Sequence, residues 1–190
     1  MVTDLARLRT NLLTPEQAAA MDARGTTDAA VLVALYHDDA ERLVGVFTRR
    51  RGDLRRHAGE ISFPGGRQDE PGEDLRATAL REAHEEIGLE PDDVELLGAL
   101  PPVGTLVTGY RIHPFVGSIA PAYPWEPQQG EVAEILELAI DDLVAGFERR
   151  RLIRRGVAVK TPTYTVDGHF VWGATARIVE QLVERLAPRA

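Results

Sequence analysis

The 190-residue chain contains no cysteine, which excludes disulfides, thiolate zinc sites and a cysteine nucleophile. A reducing compartment is compatible with that. No apolar run reaches the roughly 18 residues of a membrane span. Met1-Val2-Thr3-Asp4-Leu5 has no basic segment leading into an apolar core, so no secretory signal is read. The expectation is a soluble, cytoplasmic protein with no membrane partner. Lysine is nearly absent: Lys160 is the only one, so almost all the positive charge is arginine. Bases number 22 against 30 acids, and the net charge of -8 disfavours a nucleic-acid partner, which would want a basic domain. There is no internal repeat and no low-complexity segment. His37, His57, His84, His113 and His169 show no paired metal-ligand spacing.

What remains is ordinary globular usage. Apolar residues make up 44% and charged residues 27%, which rules out a disordered or collagen-like chain. The length suits a single domain over residues 1–190, with residues 1–25 as a helical extension. In that extension Thr14-Pro15-Glu16-Gln17 sets a threonine cap, a proline at the first helical position and a glutamine three residues after the cap. Ala29 to Tyr36 is a continuous apolar run, a buried strand candidate, and Arg42 to Thr48 reads as a second strand. Ile61-Ser62-Phe63 is a short strand ended by the turn Pro64-Gly65-Gly66. Glu73 to Ile87 is the clearest helix, stopped by Gly88. Val94 to Leu100 is a strand. Thr105 to Ile119 reads as strand pieces with a break at Thr108-Gly109 and an edge or bulge at Pro114.

Pro121 to Gln129 is a loop long enough to help shape a pocket. Glu134 to Ala139 reads as a strand running into a short helix, Ile140 to Ala145. Asp167-Gly168 sits between Thr163–Val166 and His169–Trp172 as a two-residue hairpin signal. Ala174 to Leu186 repeats Ile178, Leu182 and Leu186 on one helical face. The class is therefore α/β (α+β), a mixed β-sheet sandwiched between helices. Arginine concentrates in Arg49-Arg50-Arg51-Gly52-Asp53-Leu54-Arg55-Arg56 and again in the Arg149–Arg155 stretch. The second run reads as solvated surface.

The informative stretch is Leu80-Arg81-Glu82-Ala83-His84-Glu85-Glu86-Ile87-Gly88-Leu89. At about 100° per residue, Glu82, Glu85 and Glu86 share one stripe, apart from an apolar stripe of Ala79, Leu80, Ala83 and Ile87. Carboxylates at these spacings repel, and the helix C-terminus disfavours anions. A cluster set against both rules invites a counterion, and hard oxygen ligands suit Mg²⁺ or Mn²⁺. His84 falls off this stripe and reads as a packing or surface residue.

Upstream stands Phe63-Pro64-Gly65-Gly66, and the order of strand, loop, helix and loop over residues 66–89 resembles the Nudix box, G-x5-E-x7-R-E-U-x-E-E-x-G-U with U apolar. Arg81, Glu82, Ala83, Glu85, Glu86, Gly88 and Leu89 match in register, with seven residues between Glu73 and Arg81. Six residues rather than five separate Gly66 from Glu73. Further upstream, Thr48, Arg50, Arg55, Gly59 and the Phe63–Gly66 stretch are similar to the signature of the coenzyme A diphosphatase branch, L-L-T-x-R-S-x3-R-x3-G-x3-F-P-G-G. Val46-Phe47 replaces the leucine pair and Arg51 the serine.

The resemblance implies a Nudix fold and metal-dependent hydrolysis of a diphosphate joining a nucleoside to another group. Coenzyme A would give 3′,5′-ADP and 4′-phosphopantetheine. ADP-ribose or another nucleoside diphosphate derivative is the alternative substrate, and a non-catalytic nucleotide- or protein-binding Nudix domain is a further one. Glu82 and Glu86 carry over as metal ligands, Glu85 as a ligand or as a base acting through water, and Gly66 through its carbonyl. Arg81 would orient the carboxylates by ion pairing, and Glu73 would have a structural role. Glu131 is the candidate general base outside the box. Arg50, Arg55, Gly65 and Gly66 are candidates for holding the substrate. Tyr110, Tyr123 and Trp125 are of a type that stacks on adenine, but core or surface packing is the preferred reading of each. The oligomeric state is open between monomer and homodimer.

Overall fold

A computed structural model describes residues 5–53, 59–69, 72–105, 108–154 and 157–187. The extension forms α1 (Leu5–Asn11) and α2 (Pro15–Ala19). At the start of α2 the Gln17 backbone N–H donates to Thr14 Oγ1, and the Thr14 N–H donates to Gln17 Oε1, so the cap read from the sequence is closed in both directions.

β1 (Thr27–His37) is the spine of an eight-stranded mixed sheet. Its side chains alternate, yet both faces are buried, which is why it reads as an unbroken apolar run. Val31, Val33 and Leu35 point into one apolar cluster; Ala30, Leu32 and Ala34 point into another on the opposite face. β2 (Leu43–Arg50) returns antiparallel beside the C-terminal end of β1. β3 (Ile61–Ser62) pairs with β2, after which Phe63-Pro64 carries the chain across to β4 (Gly65–Arg67), which pairs with the N-terminal half of β1. The glycine turn expected here is thus a short strand. Glycines give no side-chain pattern to read, and β1 supplies the hydrogen-bonding edge.

α3 (Leu75–Ile87) packs Ala79, Ala83 and Ile87 against Ala30, Leu32 and Ala34 of β1. It ends at Gly88 in the left-handed conformation, φ 71°. It starts two residues later than expected, because Asp74 caps it by accepting the Arg76 backbone N–H. Asp74→Ala should cost about 1 kcal/mol of stability. A shift of the urea midpoint at unchanged slope would measure it.

β5 (Glu95–Ala99) and β6 (Val103–Gly104) pair in turn with β7 (Tyr110–Ser118), which runs parallel to β1 along its whole length. Arg111 donates two hydrogen bonds to Asp28, its partner in that register, at 2.6 and 2.9 Å. Pro114 is not at an edge, since β7 lies between β1 and β5. It sits where β7 changes partner from β6 to β5, and its carbonyl accepts the Leu100 N–H at 3.0 Å. The ladder has a gap there already, so the missing donor costs little.

β8 (Val132–Ala139) pairs with β2 and runs into α4 (Ile140–Ala145). β9 (Phe147–Arg154), β10 (Val157–Val166) and β11 (His169–Val171) form a second, three-stranded sheet. Asp167 and Gly168 both have positive φ, 50° and 80°, as a two-residue hairpin turn demands. Arg149, Arg150, Arg151 and Arg154 of the arginine run lie on β9, an outer strand of this sheet, and Arg155 lies outside the described residues. The exposed charges of β9 hide the strand from a periodicity reading, and they also discourage pairing with another chain. α5 (Gly173–Leu186) buries Ile178, Val179 and Leu182 in the cluster beneath β1 opposite α3. Among the described residues no helix is long and apolar enough to cross a membrane.

Candidate active site

β1 is contacted on one edge by β4 and then by β2, so the crossing at Phe63-Pro64 presents Gly65 and Gly66 to the side of α3. The Gly65 N–H donates to Glu86 Oε2 at 3.3 Å. A Cβ on Gly66 would lie 2.6 Å from Glu82 Oε1, so only a hydrogen at that position leaves room for the carboxylate. From β2, Arg50 places Nη1 3.7 Å from Glu86 Oε1 and Nη2 3.4 Å from Glu131 Oε2. Gly65, Gly66, Arg50, Glu82, Glu86 and Glu131 therefore meet at one place. Arg55 lies outside the described residues.

The three box carboxylates do not present a single open stripe. The Glu86 side chain is 9% exposed and that of Glu82 17%, whereas Glu85 is 55% exposed. Arg81 bridges the buried Glu82 and the exposed Glu85. Its Nη1 donates to Glu82 at 2.9 Å and to Glu85 at 3.3 Å, and its Nε donates to Glu73 at 3.2 Å. Glu73 also accepts the Asp69 N–H, tying the loop before the helix to Arg81. Burial opposes the Arg81 charge, but Glu73, Glu82 and Glu85 outweigh it and raise the guanidinium pKa.

Burial pushes the Glu86 carboxyl up to about 7; Glu82 and Glu131 push the same way, against Arg50 and the Gly65 N–H. Glu82 is raised as well, first by burial and against the pull of Arg81. Two crowded, largely buried carboxyls thus resist ionisation in the absence of a further cation. Among the described residues no three acidic or imidazole side chains are already disposed around a common ion position. The donor chemistry nevertheless fits a hard divalent cation: the set is all oxygen, it is short of positive charge, and the lack of a side chain at Gly66 lets the Glu82 carboxylate lie against the backbone there.

The loop after β7 is fastened to the end of α3. The Glu126 N–H donates to the Ile87 carbonyl at 3.1 Å and the Gln128 N–H to the Glu86 carbonyl at 2.9 Å. These satisfy carbonyls that the helix end leaves free. Arg51 closes the other side: its N–H donates to the Glu131 carbonyl at 2.9 Å and its Nη1 to the Gln129 carbonyl at 2.6 Å. Arg51 was not among the expected site residues. The one signal for it is its place in the position where the resembled signature carries serine. His84 is exposed, with Nε2 3.2 Å from Glu90 Oε1. Tyr123 and Trp125 pack on each other with ring centroids 5.0 Å apart.

Residues 26–155 match the model of the NUDIX domain family. The protein named Uncharacterized Nudix hydrolase NudL of Pectobacterium atrosepticum is 38% identical over 166 residues, covering 85% of this chain and 83% of that protein. Its namesake in Enterobacter sp. is 35% identical over 92% of this chain and 89% of that one. Among solved structures, the NUDIX domain of Shewanella oneidensis NrtR, crystallised with ADP ribose, aligns with a TM-score of 0.55 at 18% identity, covering 90% of this chain and 97% of that one. A NUDIX hydrolase from Alicyclobacillus acidocaldarius aligns at 0.54 and 19% identity, over 87% of this chain and 93% of that one.

Proposed function

The chain belongs to the NUDIX domain family of nucleoside diphosphate hydrolases, and from that premise we propose that it is a metal-dependent coenzyme A diphosphatase, releasing 3′,5′-ADP and 4′-phosphopantetheine. The observation that carries this reading is the meeting of Arg50 with Glu86 and Glu131, which joins the upstream arginine-glycine signature to the box carboxylates. Glu82 and Glu86, with Glu85 and the Gly66 carbonyl, would hold Mg²⁺ or Mn²⁺. A bound ion of this kind polarises phosphoryl oxygens and makes water a better nucleophile.

The protein's own contribution is placement and charge. Gly65 and Gly66 let the diphosphate approach the backbone closely. Arg50 offsets negative charge on the substrate while steering Glu131, which takes the proton of the attacking water as general base. Arg81 fixes the Glu82 carboxylate and does not itself touch substrate. The intact set Glu82, Glu85 and Glu86 weighs against a non-catalytic binding domain. The test is a side-by-side assay of coenzyme A and ADP-ribose with Mg²⁺ or Mn²⁺ and product identification. The expected result is a higher kcat/KM for coenzyme A. Equal or better efficiency on ADP-ribose would overturn the substrate assignment.

A further inference from the structure

Glu131 stands just before β8 with its side chain 51% exposed, and Arg50 meets its carboxylate at 3.4 Å. A carboxylate held so loosely stays in place only as far as its main chain does. That main chain hangs between two supports. On one side the Gln128 N–H donates to the Glu86 carbonyl at 2.9 Å, and the Gln128 carbonyl accepts the N–H groups of Glu131 and Val132 at 3.1 and 2.9 Å. On the other side is Arg51. Its backbone N–H donates to the Glu131 carbonyl at 2.9 Å, one step beyond the last pair of the β2–β8 ladder, Arg50 with Val132. Its Nη1 donates to the Gln129 carbonyl at 2.6 Å.

The Arg51 guanidinium is aimed by a third residue. Asp53 accepts Nε at 3.0 Å and Nη2 at 2.7 Å, a two-pronged contact that uses one edge of the planar group. Because the donors of a guanidinium have a fixed geometry, that contact sets where Nη1 points, which is at Gln129. Among the described residues the bonds of the Arg51 side chain all go to Asp53 and Gln129, and none goes to a box carboxylate. Arg50 and Arg51 are consecutive in sequence yet do different work. Arg50 meets the carboxylates of Glu86 and Glu131, whereas Arg51 holds the main chain that carries Glu131. The serine of the resembled signature is too short to make both side-chain contacts, so the brace belongs to this sequence and not to the signature.

We propose that Arg51, aimed by Asp53, is a positioning residue that braces the 128–131 segment and so keeps the Glu131 carboxylate at the site. The proposal rests on the diphosphatase reading only in giving Glu131 the part of general base. The first experiment reads amide hydrogen exchange by NMR on the full chain in a chelator, so that neither metal nor turnover enters. In Arg51→Ala the Gln128, Glu131 and Val132 amides should exchange about ten-fold faster, with the Ala83 amide inside α3 unchanged. The melting temperature should stay within a few degrees, because the Arg51 side chain is 43% exposed. The second experiment is a double-mutant cycle in coenzyme A hydrolysis. Arg51→Ala should lower kcat about ten-fold with KM unmoved, and should cost less than about two-fold once Glu131→Gln is present. Asp53→Ala should act in the same direction, lowering kcat with KM unmoved. Unchanged exchange at the three amides, or a full ten-fold loss in the Glu131→Gln background, would overturn the assignment. So would a lowered KM in Asp53→Ala, which would mark the freed Arg51 as a substrate-binding charge. Faster exchange in Arg51→Ala when the parent does not cleave coenzyme A would refute the diphosphatase reading and leave the brace standing. Full activity in Glu131→Gln would likewise refute the general-base reading alone.

Discussion

Glu86→Gln should lower kcat for diphosphate hydrolysis by at least about a thousand-fold, a loss of ~4 kcal/mol of transition-state stabilisation, and should at the same time make the metal-free protein more stable. The first half follows from removing an anionic oxygen ligand. The second follows from burial. The Glu86 carboxyl titrates near 7 in the folded chain and near 4.5 when unfolded, so the folded state binds more protons between those values. Stability therefore falls as pH rises through that window, by about 3 kcal/mol once pH exceeds both values. Glutamine carries no such dependence. In a chelator at pH 8 the variant should melt several degrees above the parent, at about 2–4 °C per kcal/mol for a chain of this size. The difference should vanish near pH 4.5. Mg²⁺ or Mn²⁺ should raise the melting temperature of the parent and move the variant far less. A variant as active as the parent, or less stable than it at pH 8, would remove Glu86 from the role given to it.

The neighbouring glycines should separate stability from activity. A Cβ on Gly65 would lie 2.6 Å from Val31 Cα and would also press on the Ala30 carbonyl, both main-chain atoms that cannot swing aside. Gly65→Ala should therefore destabilise the fold, by about 1–3 kcal/mol. A Cβ on Gly66 meets the tip of the Glu82 side chain, which can rotate away. Gly66→Ala should fold with less than about 1 kcal/mol of loss, yet with kcat down about a hundred-fold, because the displaced carboxylate no longer stands beside Glu86. Melting curves and steady-state kinetics on the two variants make the comparison. Full activity in Gly66→Ala would contradict the part assigned to Glu82.

The elements legible from the sequence were those whose signals are local. α3 announces itself through Ala79, Ala83 and Ile87 on one side and Gly88 at its end, and the last hairpin through Asp167-Gly168. The proximity of Glu82, Glu86 and Arg81 in the candidate site is legible because they share a helix, so their spacing is fixed by the helix itself. What escaped depends on partners distant in sequence. β4 exists because β1 offers its edge to Gly65–Arg67. Pro114 is central because β5 and β6 divide β7 between them. That Glu86 lies inside and Glu85 outside goes with the Gly65 N–H and Arg50, which meet Glu86 from the Phe63-Pro64 crossing and from β2, and periodicity shows neither. Arg51 escaped because its partners, the carbonyls of Gln129 and Glu131, carry no side-chain signature.

The fastening of Glu126 and Gln128 to the last turn of α3 bears on which lengths of chain the family can vary. Pro121 to Tyr123 precede the first of those attachments, so an insertion there would bulge outward without shifting Glu131. A single residue added or lost between Glu126 and Glu131 would pull Glu131 out of step with Gln128, whose carbonyl accepts the Glu131 N–H and whose own N–H is held by the Glu86 carbonyl. Indels among relatives should accordingly gather before position 126 and spare the six residues that follow.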